Sequence, residues 1–578
     1  MNILLIYICY PPESYDPFGS RLPIGLGYLA TALINEGHAV TIENLSTGGL
    51  KDLEKILKSA DSNQSFDVAG FSLFTFNRKA VIEATKLVKK ISPDTITVVG
   101  GPHPTALPQD FPSKYPSIDV SVSGPGEGPI VQIMEDIQYN DLQQESSPET
   151  GTDITLPLPE TKGSHEQEIR EIQKSETLKT GEYDPKGANK FKGIRPSILK
   201  EIVEPIAPVL QKNYKDKIIS SHQKVRDGLS SDTELKSDCL DYLGSPSMGM
   251  HKSGVTNPDD YTYLNSSRGC LGNCTFCSSP SFWNRKNTFH SVDWILKELH
   301  FRIKEIGCNF ISFRDESFTS DNSRIRSLCE AIISDDSLSF LWDCQCRADQ
   351  IDEKTTDLMA YAGCRTIQIG VEHGSEDIRK LLGKPCTDET IIKSTTIIRN
   401  SGMEASWYLI SAIPDETKAD RLKTRQLVKK ANPTDVLVSP LSIYPGTALF
   451  NMFSKKKKLN DDFWFNSKND WVLALPQEEA LAIAEKENIA IGHMTKNSGL
   501  SSKEIMSALL RITKINGPSG KLWPLIWAFN LALANEGQIE KAKTNLREWK
   551  KEHLNQSNYW LDELENELLN SDGMVNDD

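Results

Sequence analysis

Three cysteines stand close together in Ser267-Arg268-Gly269-Cys270-Leu271-Gly272-Asn273-Cys274-Thr275-Phe276-Cys277, spaced C-x3-C-x2-C. Thiolates at this spacing let one short loop wrap around a metal group, and Gly269 and Gly272 permit the tight or positive-φ backbone that wrapping requires. Three thiolates fill only three iron sites of a cubane and leave the fourth open to an exogenous ligand, whereas a cluster that only carries electrons normally takes four protein ligands. A closed zinc site would want a fourth Cys or His nearby, and the next candidates, His290 and Cys308, lie outside a familiar zinc spacing. The remaining cysteines, Cys9, Cys239, Cys308, Cys329, Cys344, Cys346, Cys364 and Cys386, show no second cluster spacing and read mostly as buried apolar thiols. Cys344 and Cys346 alternate on a strand and therefore share one face, turned either to a substrate or to packing. Eleven cysteines, an odd and sparse set in 578 residues, point to a reducing compartment rather than a disulfide framework.

The elements that must position this loop form two rhythms. The loop follows a strand-like segment at 261–265, and further segments at 310–313, 340–345, 366–370, 406–410 and 436–440 alternate with helical patterns. About six βα units of this kind predict a partial (β/α)6, TIM-like barrel with its active site at the carboxyl mouth of the strands. Upstream, strand-like runs at 3–8, 40–42, 68–74 and 95–99 alternate with helical patterns at 26–35, 50–59 and 80–91, which predicts a doubly wound, Rossmann-like parallel sheet taking ligands at its strand ends. Pro23 and Gly37 punctuate its first helix as a first-turn proline and a terminal glycine, and the start of that helix could cradle an anion. Between the two rhythms lie a polar opening (143–152), a charged middle (166–192) and a patchy apolar stretch (198–210), which read as an insertion or linker. From 471 onward the chain turns helical, and its stretch 532–552 bears a faint likeness to one tetratricopeptide helix without a repeat. Trp523, Trp527 and Phe529 fall there at helical spacing and read as core rather than as a cover for a lipid or aromatic substrate. The expected division is 1–140, a Rossmann-like domain; 141–255, the insertion; 256–470, the barrel; and 471–578, a helical region.

The cysteine loop, with an aromatic residue before its last cysteine, resembles the signature of the radical S-adenosylmethionine (SAM) superfamily. The resemblance implies a 4Fe–4S cluster held by Cys270, Cys274 and Cys277, with SAM chelating the open iron through its amino and carboxylate groups. One-electron reduction, from a low-potential donor such as a flavodoxin or ferredoxin, would then cleave SAM to methionine and a 5′-deoxyadenosyl radical. Ile311-Ser312-Phe313-Arg314-Asp315-Glu316-Ser317-Phe318 resembles the family's second-strand segment, which would put Glu316 near the SAM amino group; an acid pair at a helix start is the other reading. Arg347 matches the arginine expected after the third strand and would pair with the SAM carboxylate, unless it is a surface arginine. Ile369-Gly370-Val371-Glu372-His373-Gly374-Ser375 is similar to the fourth-strand motif of the cobalamin-linked branch, where Glu372 approaches SAM. His373 replaces a small residue of that motif and is either a substrate-facing acid/base group or a satisfied polar side chain. Ile413-Pro414-Asp415-Glu416-Thr417 and Ser442-Ile443-Tyr444-Pro445-Gly446-Thr447 resemble later strand-end loops of the branch, and Phe276 would line the adenine pocket.

Residues 1–140 resemble the cobalamin-binding domain that precedes the barrel in that branch. Phe71-Ser72-Leu73 and Val99-Gly100-Gly101-Pro102-His103-Pro104 match the places that receive the nucleotide tail, so Ser72, Gly100 and Gly101 are assigned to cobalamin; Gly124-Pro125-Gly126-Glu127-Gly128 resembles the glycine turn that follows. Glycines at strand ends allow the close backbone approach that a large planar cofactor needs. No D-x-H-x-x-G stands between the first strand and the first helix, and the earliest histidine is His38, so cobalamin would bind with its base displaced and without a histidine from that loop.

Composition sets the outer bounds. A chain of 578 residues that is 38% apolar and 25% charged folds into several domains. Its net charge of −14 argues against sequence-independent nucleic-acid binding. The apolar runs at 1–10 and 522–534 are too short for a signal peptide or a membrane span, so a cytoplasmic protein is expected. Together these readings imply a cobalamin-dependent radical SAM enzyme, most simply a methyltransferase acting at an unactivated carbon of a small or medium organic substrate. The alternatives are an oxidative cyclase or rearranging enzyme, as in the anaerobic porphyrin-ring cyclase of like architecture, and a non-catalytic iron–sulfur or zinc protein. A tRNA methylthiotransferase is disfavoured by the acidic chain and the absence of a second cysteine triad.

Overall fold

The computed structural model describes residues 1–9, 20–59, 65–107, 111–145, 209–212, 239–457, 462–466, 472–516, 522–553 and 559–570. Residues 10–19, where the histidine motif is missing, lie outside them, as does most of the expected insertion, including its charged middle. Contacts divide the chain into a large unit, Met1–Gln132 with Ala207–Asp578, and a small one, Ile133–Ile206; the account below concerns the large unit.

The chain begins with β1 (Asn2–Ile8), in which six consecutive residues are buried. Such a run suits a parallel sheet covered on both faces. There follow α1 (Gly25–Asn35), β2 (Ala39–Leu45), α2 (Gly49–Ser59), β3 (Val68–Ser72), α3 (Arg78–Ile91), β4 (Ile96–Gly100), α4 (Pro102–Ala106), α5 (Phe111–Lys114), β5 (Val120–Ser123) and α6 (Glu127–Glu145). With β6 (Val209–Lys212) they make a six-stranded sheet ordered β2-β1-β3-β4-β5-β6, parallel except for the β5–β6 pair. The four strands expected from periodicity are present. β5 went unread because Val-Ser-Val-Ser is too short to show a pattern, and β6 because it lies within the expected insertion. Pro23 stands just before the cap Ile24 rather than in the first turn of α1, while Gly37 follows the helix at φ 81°.

The second sheet carries the six expected strands: β7 (Tyr263–Leu264), then, after β8 (Ser267–Arg268) and β9 (Thr288–Phe289), β10 (Phe310–Phe313), β11 (Leu341–Cys346), β12 (Cys364–Glu372), β13 (Glu404–Ser411) and β14 (Asp435–Pro440). Its order β14-β13-β12-β11-β10-β7 is parallel throughout, as in an open βα barrel. Burial alternates along β11, which turns Asp343 and Gln345 to one face and Cys344 and Cys346 to the other. The cysteine face is the packing face: Cys344 and Cys346 are buried, their sulfurs 3.7 Å apart, and Cys364 and Cys329 of the helix Asn322–Ser334 adjoin them. One apolar cluster runs from β1, β3 and α3 of the first sheet to Ile413, Leu441, Phe450 and Trp464 beyond the second, so the two sheets share a core.

Residues 239–255, expected in the insertion, are built into the fold: the helix Pro246–Lys252 packs on α1, where Thr31 Oγ1 donates to the Ser245 carbonyl at 2.6 Å. In the helical tail Trp523 and Phe529 are buried and Trp527 meets Trp560 edge-on at 5.8 Å, which makes them core. Among the described residues no helix is long and apolar enough to cross a membrane.

Candidate active site

The cysteine loop is closed at its base by the antiparallel pair β8–β9 and stitched to the barrel through its middle. Thr275 N–H donates to the Leu382 carbonyl (2.9 Å), and Leu449 N–H donates to the Thr275 carbonyl (2.7 Å). Gly269 takes φ 97°, and a Cβ there would collide with the Lys286 carbonyl. Gly272 has no such angle; its reason is space, because a Cβ would lie 3.1 Å from Cys270 Sγ, 3.9 Å from Cys274 Sγ and 3.3 Å from Arg347 Nη1. All three thiols are free and half-buried. Burial pushes the Cys277 thiol up to about 11 and raises that of Cys274, the latter opposed by Lys384. Burial alone would keep Cys274 and Cys277 protonated, so a bound cation is what would hold these two as thiolates. His290 and Cys308 stay away from the loop: His290 lies between Tyr28 Oη (3.0 Å) and Asp241 Oδ1 (3.2 Å), and Cys308 donates to the Phe310 carbonyl.

A charged group faces the loop from the strand ends. Arg347 is held by Asp349 at 2.9 and 3.0 Å, which leaves Nη1 directed at the cysteines. Glu372 lies at a register shift between β12 and β13 with φ 68°, a strained position for a residue with a side chain. Its carboxylate accepts from Lys384 Nζ at 2.7 Å, the two side chains being 9% and 11% exposed. Lys384 is also felt by Cys274 and Arg347, and the sequence offered no sign of it, since only the fold brings it to Glu372. The acid pair divides its work. Asp315 is fully buried and accepts from Ser266 N–H (3.0 Å), Ser266 Oγ (2.7 Å) and Ser267 Oγ, so it fixes the strand before the cysteines. Glu316 accepts from Gly269 N–H (3.1 Å) and Trp283 Nε1 (2.6 Å), and burial raises its pKa.

Glu316 and Trp283 also form one wall of a cavity of about 250 Å³, open to solvent, over the carboxyl ends of β3, β4 and β5. Ser72, Gly100 and Gly101 line its floor, with the start of α1 and the turn Gly124–Glu127 around it. Gly101 takes φ 118°, and a Cβ there would lie 3.0 Å from the Leu73 carbonyl oxygen. The lining is mostly apolar and glycine-rich, which fits a large planar cofactor. No histidine stands among the described residues that line it. His103 instead turns into the core, with Nδ1 3.0 Å from Thr75 Oγ1 and its ring against Phe111 and Trp464; burial lowers its pKa to about 3.

Arg268 joins this cavity to the cysteine loop. It pairs with Glu127 at 2.7 Å and lies 4.5 Å from the Tyr28 ring centroid and 5.6 Å from that of Trp283. Its place two residues before Cys270 was the available signal in the sequence. His373 is a satisfied polar side chain: Ser375 N–H donates to Nδ1 (2.9 Å), which leaves Nε2 to donate to Glu416 Oε1 (3.0 Å). Glu416, in the later strand-end loop, is therefore committed to the frame, where it also accepts from Arg421 (3.1 Å). Phe276 packs half-buried against the shared apolar cluster and is not on the cavity.

Residues 264–428 match the family model of the Radical SAM superfamily, and residues 19–134 that of the B12 binding domain. The chain belongs to the radical SAM superfamily and carries a B12-binding domain. It is 25% identical over 429 residues to the uncharacterized methyltransferase PH0819 of Pyrococcus horikoshii, across 74% of this chain and 77% of that protein. It is 21% identical over 464 residues to the anaerobic magnesium-protoporphyrin IX monomethyl ester cyclase of Rubrivivax gelatinosus, across 80% and 71%. The structure of the radical SAM methyltransferase TsrM from Kitasatospora setae, with cobalamin and a 4Fe–4S cluster bound, aligns with a TM-score of 0.53 over 79% of this chain and 78% of that one, at 16% identity, and so shares the fold. The architecture of this radical SAM protein is that of a cobalamin-dependent radical SAM enzyme.

Proposed function

We propose that this enzyme is a methyltransferase acting at an unactivated carbon of a small or medium organic substrate. The observation that carries the reading is the shared wall: Arg268, Trp283 and Glu316 flank the cysteine loop and also line the glycine-floored cavity, so two cofactors held there would be neighbours. Cys270, Cys274 and Cys277 would hold the 4Fe–4S cluster, and Ser72, Gly100 and Gly101 would receive the cobalamin tail. When bound, the cluster with SAM supplies one-electron cleavage and cobalamin supplies methyl carriage.

The chain's own residues bind and orient. Arg347 offers its free guanidinium edge to the SAM carboxylate, Glu316 an acceptor to the SAM amino group, and Glu372 a carboxylate on the opposite strand end, with Phe276 toward the adenine side. Lys384 donates to Glu372 and so fixes the direction of its carboxylate. Over the whole reaction one C–H bond breaks and one C–CH3 bond forms. The hydrogen atom leaves in 5′-deoxyadenosine, the methyl comes from a second SAM, and two electrons from a low-potential donor close the balance.

The test is an anaerobic spectroscopic titration of the iron–sulfide-reconstituted protein with hydroxocobalamin and methylcobalamin, followed by turnover with SAM labelled in its methyl group. A base-off cobalamin spectrum and label in the product are expected. A product that has lost hydrogens and gained no label would establish the cyclase chemistry of the Rubrivivax relative instead. Failure to bind cobalamin, with SAM still cleaved, would remove methyl transfer.

A further inference from the structure

Five strands of the barrel each send one polar side chain to the same face of the sheet, below the mouth: Tyr263 from β7, Arg314 just beyond β10, Gln345 from β11, Gln368 from β12 and Tyr408 from β13. Donors outnumber acceptors there. Gln368 Oε1 alone accepts from Tyr408 Oη at 3.0 Å, Arg314 Nη1 at 3.4 Å and Gln345 Nε2 at 3.4 Å. The amide orientation is fixed from its other side, where Nε2 donates to Asp343 Oδ2 at 3.3 Å. Arg314 has five N–H donors but meets only long contacts to neutral oxygens, including Tyr263 Oη at 3.2 Å, and no carboxylate stands within ion-pair distance among the described residues. Asp343 shares this face and is felt by both Arg314 and Arg21, but beyond ion-pair distance, and its oxygens accept from the Ser312 hydroxyl and Gln368 Nε2.

A second guanidinium repeats the imbalance. Arg21 lies 5.7 Å from the centroid of the Tyr263 ring, and Arg314 lies 4.6 Å from it. Arg21 Nε is buried and has no hydrogen-bond partner, and its neighbour Asp260 is already occupied by Leu22 N–H and Asn44. Two guanidinium groups beside one phenol ring, with spare donors around them, match a group that carries two or three acceptor oxygens and a negative charge.

The geometry points to an anion subsite: Arg314, with Arg21 and the second N–H of the Gln345 amide, binds a carboxylate or phosphate group of the substrate. Gln345 precedes Arg347 by two residues and Gln368 precedes Glu372 by four, so the subsite lies about 7 Å or more below the residues that face the cysteine loop. A substrate held there by its anionic end extends its other end to the mouth. The word substrate rests on the radical SAM reading above; the binding of an anion does not.

The experiment is isothermal titration calorimetry of the full chain, kept anaerobic, with inorganic phosphate and with acetate at constant ionic strength in sodium chloride. Saturable binding of either probe is expected, weakened about tenfold or more in Arg314→Gln, in line with loss of a charge-assisted hydrogen bond, and in part restored in Arg314→Lys. Phosphate alone would name a phosphate ester, and acetate alone a carboxylate. Absence of saturable binding, or equal affinity in Arg314→Gln, overturns the subsite. Should Arg314→Gln not fold, Arg21→Gln, which removes the second guanidinium, must weaken binding for the subsite to stand. If the wild type binds the anion but shows no SAM-dependent change in its cluster spectrum, the radical SAM reading fails and the subsite remains.

Discussion

The two six-stranded sheets use the same parallel arrangement to opposite ends. In the first, β1 is buried on both faces and the strand ends at Gly100 and Gly101 carry no side chains, so the sheet presents a bare, apolar shelf. In the second, β11 and β12 alternate buried and half-buried residues, and the half-buried set is Asp343, Gln345, Thr366, Gln368 and Gly370, with the half-buried Arg347 just beyond β11. A sheet covered on both sides has nothing to offer a ligand except its ends, whereas a curved one can line an interior. The shelf suits a large preformed cofactor, and the lined interior suits a reaction.

Variants can break this contrast, beginning with the strongest. Cys274→Ala removes one of three thiols at the interior's mouth; iron–sulfur absorbance is expected to disappear, with SAM cleavage, followed by product chromatography, falling to background, while the shelf continues to bind cobalamin. Glu372→Ala leaves the Lys384 ammonium without its partner in a site 11% exposed, and urea denaturation should show a loss of about 3–5 kcal/mol. A loss under 1 kcal/mol would mean that Lys384 escapes to water.

His103 sharpens the contrast from the side of the shelf. Its folded pKa of about 3 lies below the unfolded value of 6.5, so the unfolded chain binds the extra proton. Its contribution to stability is therefore complete above pH 6.5 and is lost as the pH falls toward 3, by up to about 1.4 kcal/mol per pH unit. Denaturation curves of the wild type and His103→Asn should converge as the pH falls through that window; parallel curves would show His103 charged in the fold. Gly101→Ala forces a Cβ to 3.0 Å from the Leu73 oxygen at φ 118°, with an expected cost of about 1–3 kcal/mol and weaker cobalamin binding in the spectroscopic titration. Cys346→Ala, on the packing face of the second sheet, should cost about 1 kcal/mol in thermal unfolding and leave cluster absorbance unchanged.

Much of this was legible in the chain. The six barrel strands were readable because each is a β-rich run set between long helical periods, and the C-x3-C-x2-C loop because chemistry demanded its spacing within one segment. The short β5 was not, since four alternating residues carry no period, nor was β6, which a stretch of polar chain separates from its sheet. Asp315 and Glu316 looked like one acidic pair; packing gave Asp315 to three serine donors and left Glu316 at the cavity. Cys344 and Cys346 were known to share a face, but which face depended on the helix that covers it.

What the sequence by itself determined, then, was every feature encoded within a few residues of itself: the thiol loop, the glycine strand ends and the alternation of strands and helices. Only the tertiary structure decided which distant groups meet. Lys384 beside Glu372, Arg268 beside Glu127, His373 on Glu416, and Arg21 and Arg314 about Tyr263 are pairs drawn from separate strands and loops. The reason is physical: local preference sets the period of an element, but a charge or hydrogen bond between elements exists only once burial has fixed their register and removed the water that would otherwise satisfy both partners.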